Sequence, residues 1–176
     1  MDKIATASLG ERTALFREAA IRRGLNLQIV EKDFWVCWTL KQLFGIASLT
    51  NHLIFKGGTS LSKAYGIIER FSEDIDIAVD RKYLGIPEIL DLRDFSVSKR
   101  DAIIADLDAA CASAVQTYVL PQMKESCSRV IGESGPDEWQ LSIDPGDEYG
   151  QTILFNYPRE RSLPTELAYV LPVVRL

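Results

Sequence analysis

The chain has 176 residues, 20 Lys and Arg against 25 Asp and Glu, a formal net charge of −5, and 47% hydrophobic and 26% charged residues. That length suits one domain and that composition a globular protein, so disorder over the whole chain is excluded. No run of about 18 apolar residues occurs, and an amino terminus carrying Asp2, Lys3, Glu11 and Arg12 is too polar for a signal sequence, so the expectation is a cytoplasmic protein with no membrane span.

Charge is uneven: residues 1–90 carry 12 basic and 11 acidic side chains, and residues 91–176 carry 8 and 14. A general nucleic-acid footprint is missing, so any RNA contact must use a local basic patch or a segment outside this chain. Cys37, Cys111 and Cys127 are odd in number and lack CxxC spacing, which reads as buried thiols of a reducing compartment. With His52 as the single histidine, a Ser-His-Asp or Cys-His site would have to be built around it.

In chain order, Leu15, Phe16, Ala19 and Ala20 mark one face of a helix from Glu11 to Arg23, with Gly24 as its stop. A second helix over Gln28–Phe44 is apolar on two sides, with Val30, Phe34, Cys37 and Trp38 on one and Val36, Leu40 and Leu43 on the other. Leu53-Ile54-Phe55 reads as a buried strand, Thr59 to about Ile68 as a short helix with hydroxyl caps, and Asp74–Val79 as an alternating strand. Residues 81–97 read as a loop. A long helical stretch runs from Ser98 to about Ile131, which Pro121 is expected to break or kink. Trp139–Ile143 and Thr152–Tyr157 are strands around the turn Asp144-Pro145-Gly146-Asp147, and Tyr169–Leu176 is a strand whose Pro172 marks an edge or bulge.

The densest chemistry lies in Phe55-Lys56-Gly57-Gly58-Thr59-Ser60-Leu61-Ser62-Lys63 and Arg70-Phe71-Ser72-Glu73-Asp74-Ile75-Asp76-Ile77. Strand alternation puts Asp74 and Asp76 on one face, about 7 Å apart, with Ile75 and Ile77 on the other. Two like charges held so close call for a cation, and Mg²⁺ takes its oxygens from one or two carboxylates, water and substrate phosphates. Gly57-Gly58, between strand and helix, offers backbone N–H groups to an anion, and glycine there lets phosphate approach. Lys63 can add a point charge to a triphosphate. Arg70 either contacts phosphate or pairs with Glu73 or Asp74. Glu73 points away from the aspartates and has no metal role, and Ser72 is a turn hydroxyl or a modification site. The P-loop and the dinucleotide fingerprint both fail on spacing, with Ser62 where the P-loop needs its second glycine.

These residues resemble the nucleotidyltransferase superfamily. More closely, Val30-Glu31-Lys32-Asp33-Phe34-Trp35-Val36 and the two segments above resemble the AbiEii/AbiGii toxin family of bacterial toxin–antitoxin and phage-defence systems, most densely over residues 28–80. The resemblance implies an α/β fold of the α+β kind: a polymerase-β-like mixed, mostly antiparallel sheet flanked by helices. An amino-terminal helical segment, 1–50, would pack on a nucleotidyltransferase core, 51–176. It implies transfer of a nucleotide from an NTP, with Asp74 and Asp76 as the catalytic pair holding Mg²⁺ or Mn²⁺. Lys56, Gly57, Gly58, Thr59, Ser60, Lys63, Arg70 and Ser72 would face the nucleotide. It implies an RNA acceptor such as a tRNA 3′ end, and a cognate antitoxin as partner. It also implies a third carboxylate just after Val173-Val174-Arg175-Leu176 and a helical carboxy-terminal region, so the chain is expected to hold the nucleotide-binding core of a longer enzyme. The competing readings are a catalytically silent nucleotide- or antitoxin-binding module, and a hydrolase centred on His52.

Overall fold

The structure is a computed structural model that describes residues 1–69, 71, 73–85, 92–133, 135, 138–159 and 170–176. The predicted sites Arg70 and Ser72 lie outside the described residues, as does Tyr169 at the start of the last expected strand.

After a single turn, α1 (Asp2–Ala5), helix α2 spans Leu9–Arg23. Ser8 and Glu11 close a capping box at its start, and Gly24 ends it in the left-handed conformation at φ 63°. Its buried stripe is Arg12, Phe16 and Ala20. Leu15, expected on that face, is 51% exposed at the rim of a groove with Phe16 and Ala19, while Arg12 turns inward. Helix α3 (Leu27–Phe44), capped by Asn26, buries Trp35, Val36, Trp38 and Leu43 and so packs on two sides, as its sequence requires. Phe16 of α2 meets Phe34 at 5.2 Å between ring centroids, while Trp35 stacks on Tyr157 at 5.5 Å and Trp38 on Phe155 at 5.8 Å. Such aromatic pairs add about 0.5–1.5 kcal/mol each beyond their area burial.

Strand β1 (Leu53–Lys56) runs directly into α4 (Gly57–Lys63) and pairs antiparallel with β2 (Asp76–Val79), with Lys56 opposite Asp76. Helix α4 starts two residues earlier than the hydroxyl caps suggested and is a turn shorter, stopping at Lys63. Strands β3 (Gln140–Ile143), β4 (Ile153–Asn156) and β5 (Val174–Arg175) form an antiparallel sheet in that order. The two sheets are joined where Asp74 pairs with Arg175 in a parallel bridge and the Ile75 N–H donates to the Arg175 carbonyl at 2.8 Å. Asp74 therefore belongs to the junction of the sheets and β2 proper begins at Asp76. The expected long carboxy-terminal strand is reduced to Val174–Arg175, since Pro172 has no N–H to give a ladder.

The long helical stretch does not break. Helix α5 (Val97–Ala114) continues through a π-turn (Val115–Val119) into α6 (Leu120–Ile131), with Pro121 in the first turn of α6. The Leu120 N–H reaches back five residues to the Val115 carbonyl, and the widened turn accommodates the donor that Pro121 lacks. A window of this helix is long and apolar enough, by length and composition alone, to cross a bilayer. Of that window 17% is buried inside the fold; the buried residues of the helix include Ala114, Val115, Val119, Met123 and Cys127. The architecture is mixed α+β: helices cover one face of the joined sheets, where Leu53, Ile75, Leu141, Ile153, Phe155 and Val174 enter one core. The opposite face carries Lys56, Asp76, Asp74 and Arg175, all exposed.

Candidate active site

The turn from β1 to α4 is built by hydroxyls facing inward. Lys56 is extended, Gly57 turns the chain at φ 75°, and Thr59 and Ser60 are buried at 0% and 4% exposure. The Ser60 hydroxyl donates to the Gly57 carbonyl at 2.9 Å, which holds the turn closed. The Thr59 hydroxyl donates to the Asp74 carbonyl, tying the start of α4 to the residue that begins the carboxylate pair. Gly58 is half-buried in the first turn of α4.

Asp74 and Asp76 are exposed on the open sheet face with Ile75, 2% exposed, inserted into the core between them. Their lateral neighbours are cations: Lys56 is the cross-strand partner of Asp76, and Arg175 is paired with Asp74. Strands lie about 4.8 Å apart, so the register sets a basic residue beside each carboxylate. Arg175 also bonds Asp144 across the sheet, Nη2 to Oδ2 at 2.9 Å.

The Asp76 carboxylate is seated on the turn itself. A Cβ placed on Gly57 would stand 1.9 Å from Asp76 Oδ2 and 2.7 Å from its Cγ. Glycine at position 57 therefore meets the positive φ and also leaves the space in which the Asp76 carboxylate lies. The sequence suggested that glycine there admits a phosphate, and the structure shows what already occupies the space beside it. Two exposed carboxylates on one face, one of them in a cradle that a Cβ would fill, make a donor set suited to a hard cation that completes its shell with water and phosphate oxygens. Among the described residues no group of three or more His, Cys, Asp or Glu is gathered as a metal cluster.

Lys63, at the end of α4, is paired with Asp33 of α3. The neighbouring residue, Lys32, is 2% exposed and donates to Glu73 Oε2 at 2.7 Å. Lys32, Glu73, Asp74 and Arg175 line a cavity of about 440 Å³ with Phe71, Leu171 and Val173. Lys32, Asp33, Arg175 and Asp144 were not singled out for this site. Lys32 and Asp33 stand within a motif of the family resemblance, and the contacts they make across 41 and 30 residues of sequence have no local signal.

His52 lies at the other end of the β1–β2 pair, where Leu53 faces Val79. Its Nδ1 is 4.0 Å from Asp80 Oδ2, and its ring lies over Tyr83 at 4.8 Å. The three cysteines are free thiols, and burial pushes the Cys127 thiol up to about 12. Burial also raises Cys37 and Cys111.

A Gly-Gly turn packed on an Asp-x-Asp strand is the arrangement expected of a nucleotide-transferring class of protein. Residues 38–171 match the family described as nucleotidyl transferase AbiEii toxin, type IV TA system. The chain belongs to that AbiEii family. Nothing among the curated proteins or the solved structures matches it.

Proposed function

We propose that this chain is the nucleotidyltransferase toxin of a toxin–antitoxin pair, working in the cytoplasm on a polymerase-β-like core and moving a nucleotide from an NTP to an RNA acceptor such as a tRNA 3′ end. The observation that carries the reading is the seating of Asp76 on Gly57, which sets one carboxylate of the pair against the strand-to-helix turn. Asp74 and Asp76 would hold Mg²⁺ or Mn²⁺, which when bound neutralises the triphosphate and the leaving group. The turn at Gly57 and Gly58, with Lys56 beside it, would face the nucleotide phosphates, while the buried Thr59 and Ser60 would hold that turn through the hydrogen bonds of their hydroxyls. Lys63, once released from Asp33, and Arg70 and Ser72 are proposed as further phosphate contacts. An acceptor hydroxyl gives its proton to solvent and bonds to the α-phosphorus while the bond from that phosphorus to the β-phosphate oxygen breaks, releasing pyrophosphate. The protein's part is to align these atoms, since phosphoryl transfer depends on positioning and charge stabilisation. The antitoxin of the family's systems is the expected protein partner.

The test is incubation of the chain with the four α-³²P-labelled NTPs, Mg²⁺ and total tRNA. Label should enter RNA and fall at least about a hundredfold in Asp74→Asn and in Asp76→Asn. Both side chains are exposed, so both variants should keep the fold, and undiminished labelling in either would sink its assignment. A second reading, a module that binds nucleotide without transferring it, is favoured by the Lys63–Asp33 pair, which engages one expected phosphate contact. Metal-dependent NTP binding with no labelled product would select it.

A further inference from the structure

The two ion pairs made by consecutive residues of α3 point in different directions. Asp33 reaches α4 through Lys63, and Lys32 reaches the approach to β2 through Glu73. Phe71 lines both the cavity beside Asp74 and the apolar groove over Asp33 and Lys63, so it stands between the two pairs. One turn of α3 thus touches the ends of both elements that carry the site. Lys32 and Asp33 precede the residues matched to the family, which begin at 38.

Asp74 is held on its carboxy-terminal side by strong anchors. Its carbonyl accepts from Thr59, the next N–H is bonded to Arg175, and Ile75 is buried. On its amino-terminal side the adjacent residue is Glu73, whose carboxylate is fixed 2.7 Å from an ammonium that is itself 2% exposed. Burying a lysine ammonium is costly unless a partner meets it, and Glu73, its side chain 40% exposed, meets Lys32 from the surface side. What the ion pair provides is direction, since it fixes where one carboxylate, and with it the backbone that carries the next, must lie.

We propose that Lys32 is a positioning residue of the transfer site, setting Asp74 for its cation through Glu73. This rests on the reading of Asp74 and Asp76 as the metal-holding pair. It distinguishes Glu73 from its aspartate neighbours: Glu73 supports Asp74 from behind and is not itself a ligand.

The experiment measures Mn²⁺ affinity of the full chain by electron paramagnetic resonance of the free ion, beside the thermal midpoint of each variant. The unaltered chain should bind Mn²⁺, and Asp74→Asn should abolish that binding. Lys32→Met leaves Glu73 uncompensated and can lower stability, so the deciding variant is the neutral pair Lys32→Met/Glu73→Gln. It should keep the thermal midpoint and still lose about 10- to 100-fold in Mn²⁺ affinity, the usual cost of removing a group that orients a ligand. In the transfer assay it should lower kcat while the KM for NTP stays within about twofold, the signature of a contribution made in the transition state. The reversed pair Lys32→Glu/Glu73→Lys should recover part of the Mn²⁺ affinity. A neutral pair that binds Mn²⁺ as the unaltered chain does would overturn the proposal and leave the site reading standing. Mn²⁺ binding indifferent to Asp74→Asn would overturn the site reading, and this proposal with it.

Discussion

Replacing Gly57 by alanine tests the central geometric relation of the site. The new Cβ would stand 1.9 Å from Asp76 Oδ2, and ordinary contact begins at 3.4 Å, so the oxygen must retreat by about 1.5 Å. Alanine in the left-handed region costs about 1–2 kcal/mol. Turning Asp76 off its rotamer adds about 0.5–1.5 kcal/mol, for a total of about 1.5–3.5 kcal/mol. In a chain of this length each kcal/mol moves the thermal midpoint by about 2–4 °C, so the expected fall is about 3–14 °C. Gly24→Ala is the control, because Gly24 has φ 63° and nothing within 4 Å of an added Cβ. It carries the backbone strain without the clash. Differential scanning fluorimetry gives the two midpoints, and Mn²⁺ titration reports the carboxylate. Gly57→Ala should weaken Mn²⁺ binding and reduce transfer by about a hundredfold, the cost of a misplacement on this scale, whereas Gly24→Ala should leave both unchanged. Mn²⁺ affinity unaltered in Gly57→Ala would refute the claim that Asp76 depends on the glycine.

Three further outcomes follow from the same structure. Arg12, 5% exposed, donates to the carbonyls of Ala5 at 3.0 Å, Ala7 at 3.1 Å and Pro158 at 3.1 Å and lies over Trp35 at 5.3 Å. Arg12→Ala should cost about 3 kcal/mol by chemical denaturation, and Arg12→Lys should recover less than half, because an ammonium lacks the planar fork. The Asp147 carboxyl is held down to about 2, first by the side-chain bond with Thr152 and then by the backbone N–H groups of Tyr149, Gln151 and Thr152. Its contribution to stability is complete above about pH 4 and is lost as the pH falls through about 2, so an Asp147→Asn variant should show a shallower decline than the parent in that window of an acid titration. Cys127, with its thiol raised to about 12 by burial, should resist iodoacetamide at pH 8 in the folded chain and react once the chain is unfolded in urea, as mass spectrometry of the alkylated peptides would read.

How much of this was legible beforehand depends on whether the cause was local. Alternation alone put Asp74 and Asp76 on one face and Ile75 in the core, because a strand has no other way to arrange neighbouring side chains. The apolar stripe and Gly24 placed α2, although it starts two residues earlier than Glu11, at Leu9, and its inward face includes Arg12, whose burial depends on distant carbonyls such as that of Pro158. Pro121 correctly marked an irregularity but not its form, since a π-turn can absorb the missing donor without ending the helix.

The amino-acid sequence by itself determined the strand, turn, helix and strand unit and the pair of carboxylates, since these follow from periodicity and glycine chemistry within some twenty residues. Only the tertiary structure decided that Gly57 makes room for Asp76, that Lys56 and Arg175 flank the pair, and that Lys32 and Asp33 tie α3 to both halves of the site. Each of those relations joins residues far apart in the chain, and such contacts are fixed by how the elements pack, which no local pattern records.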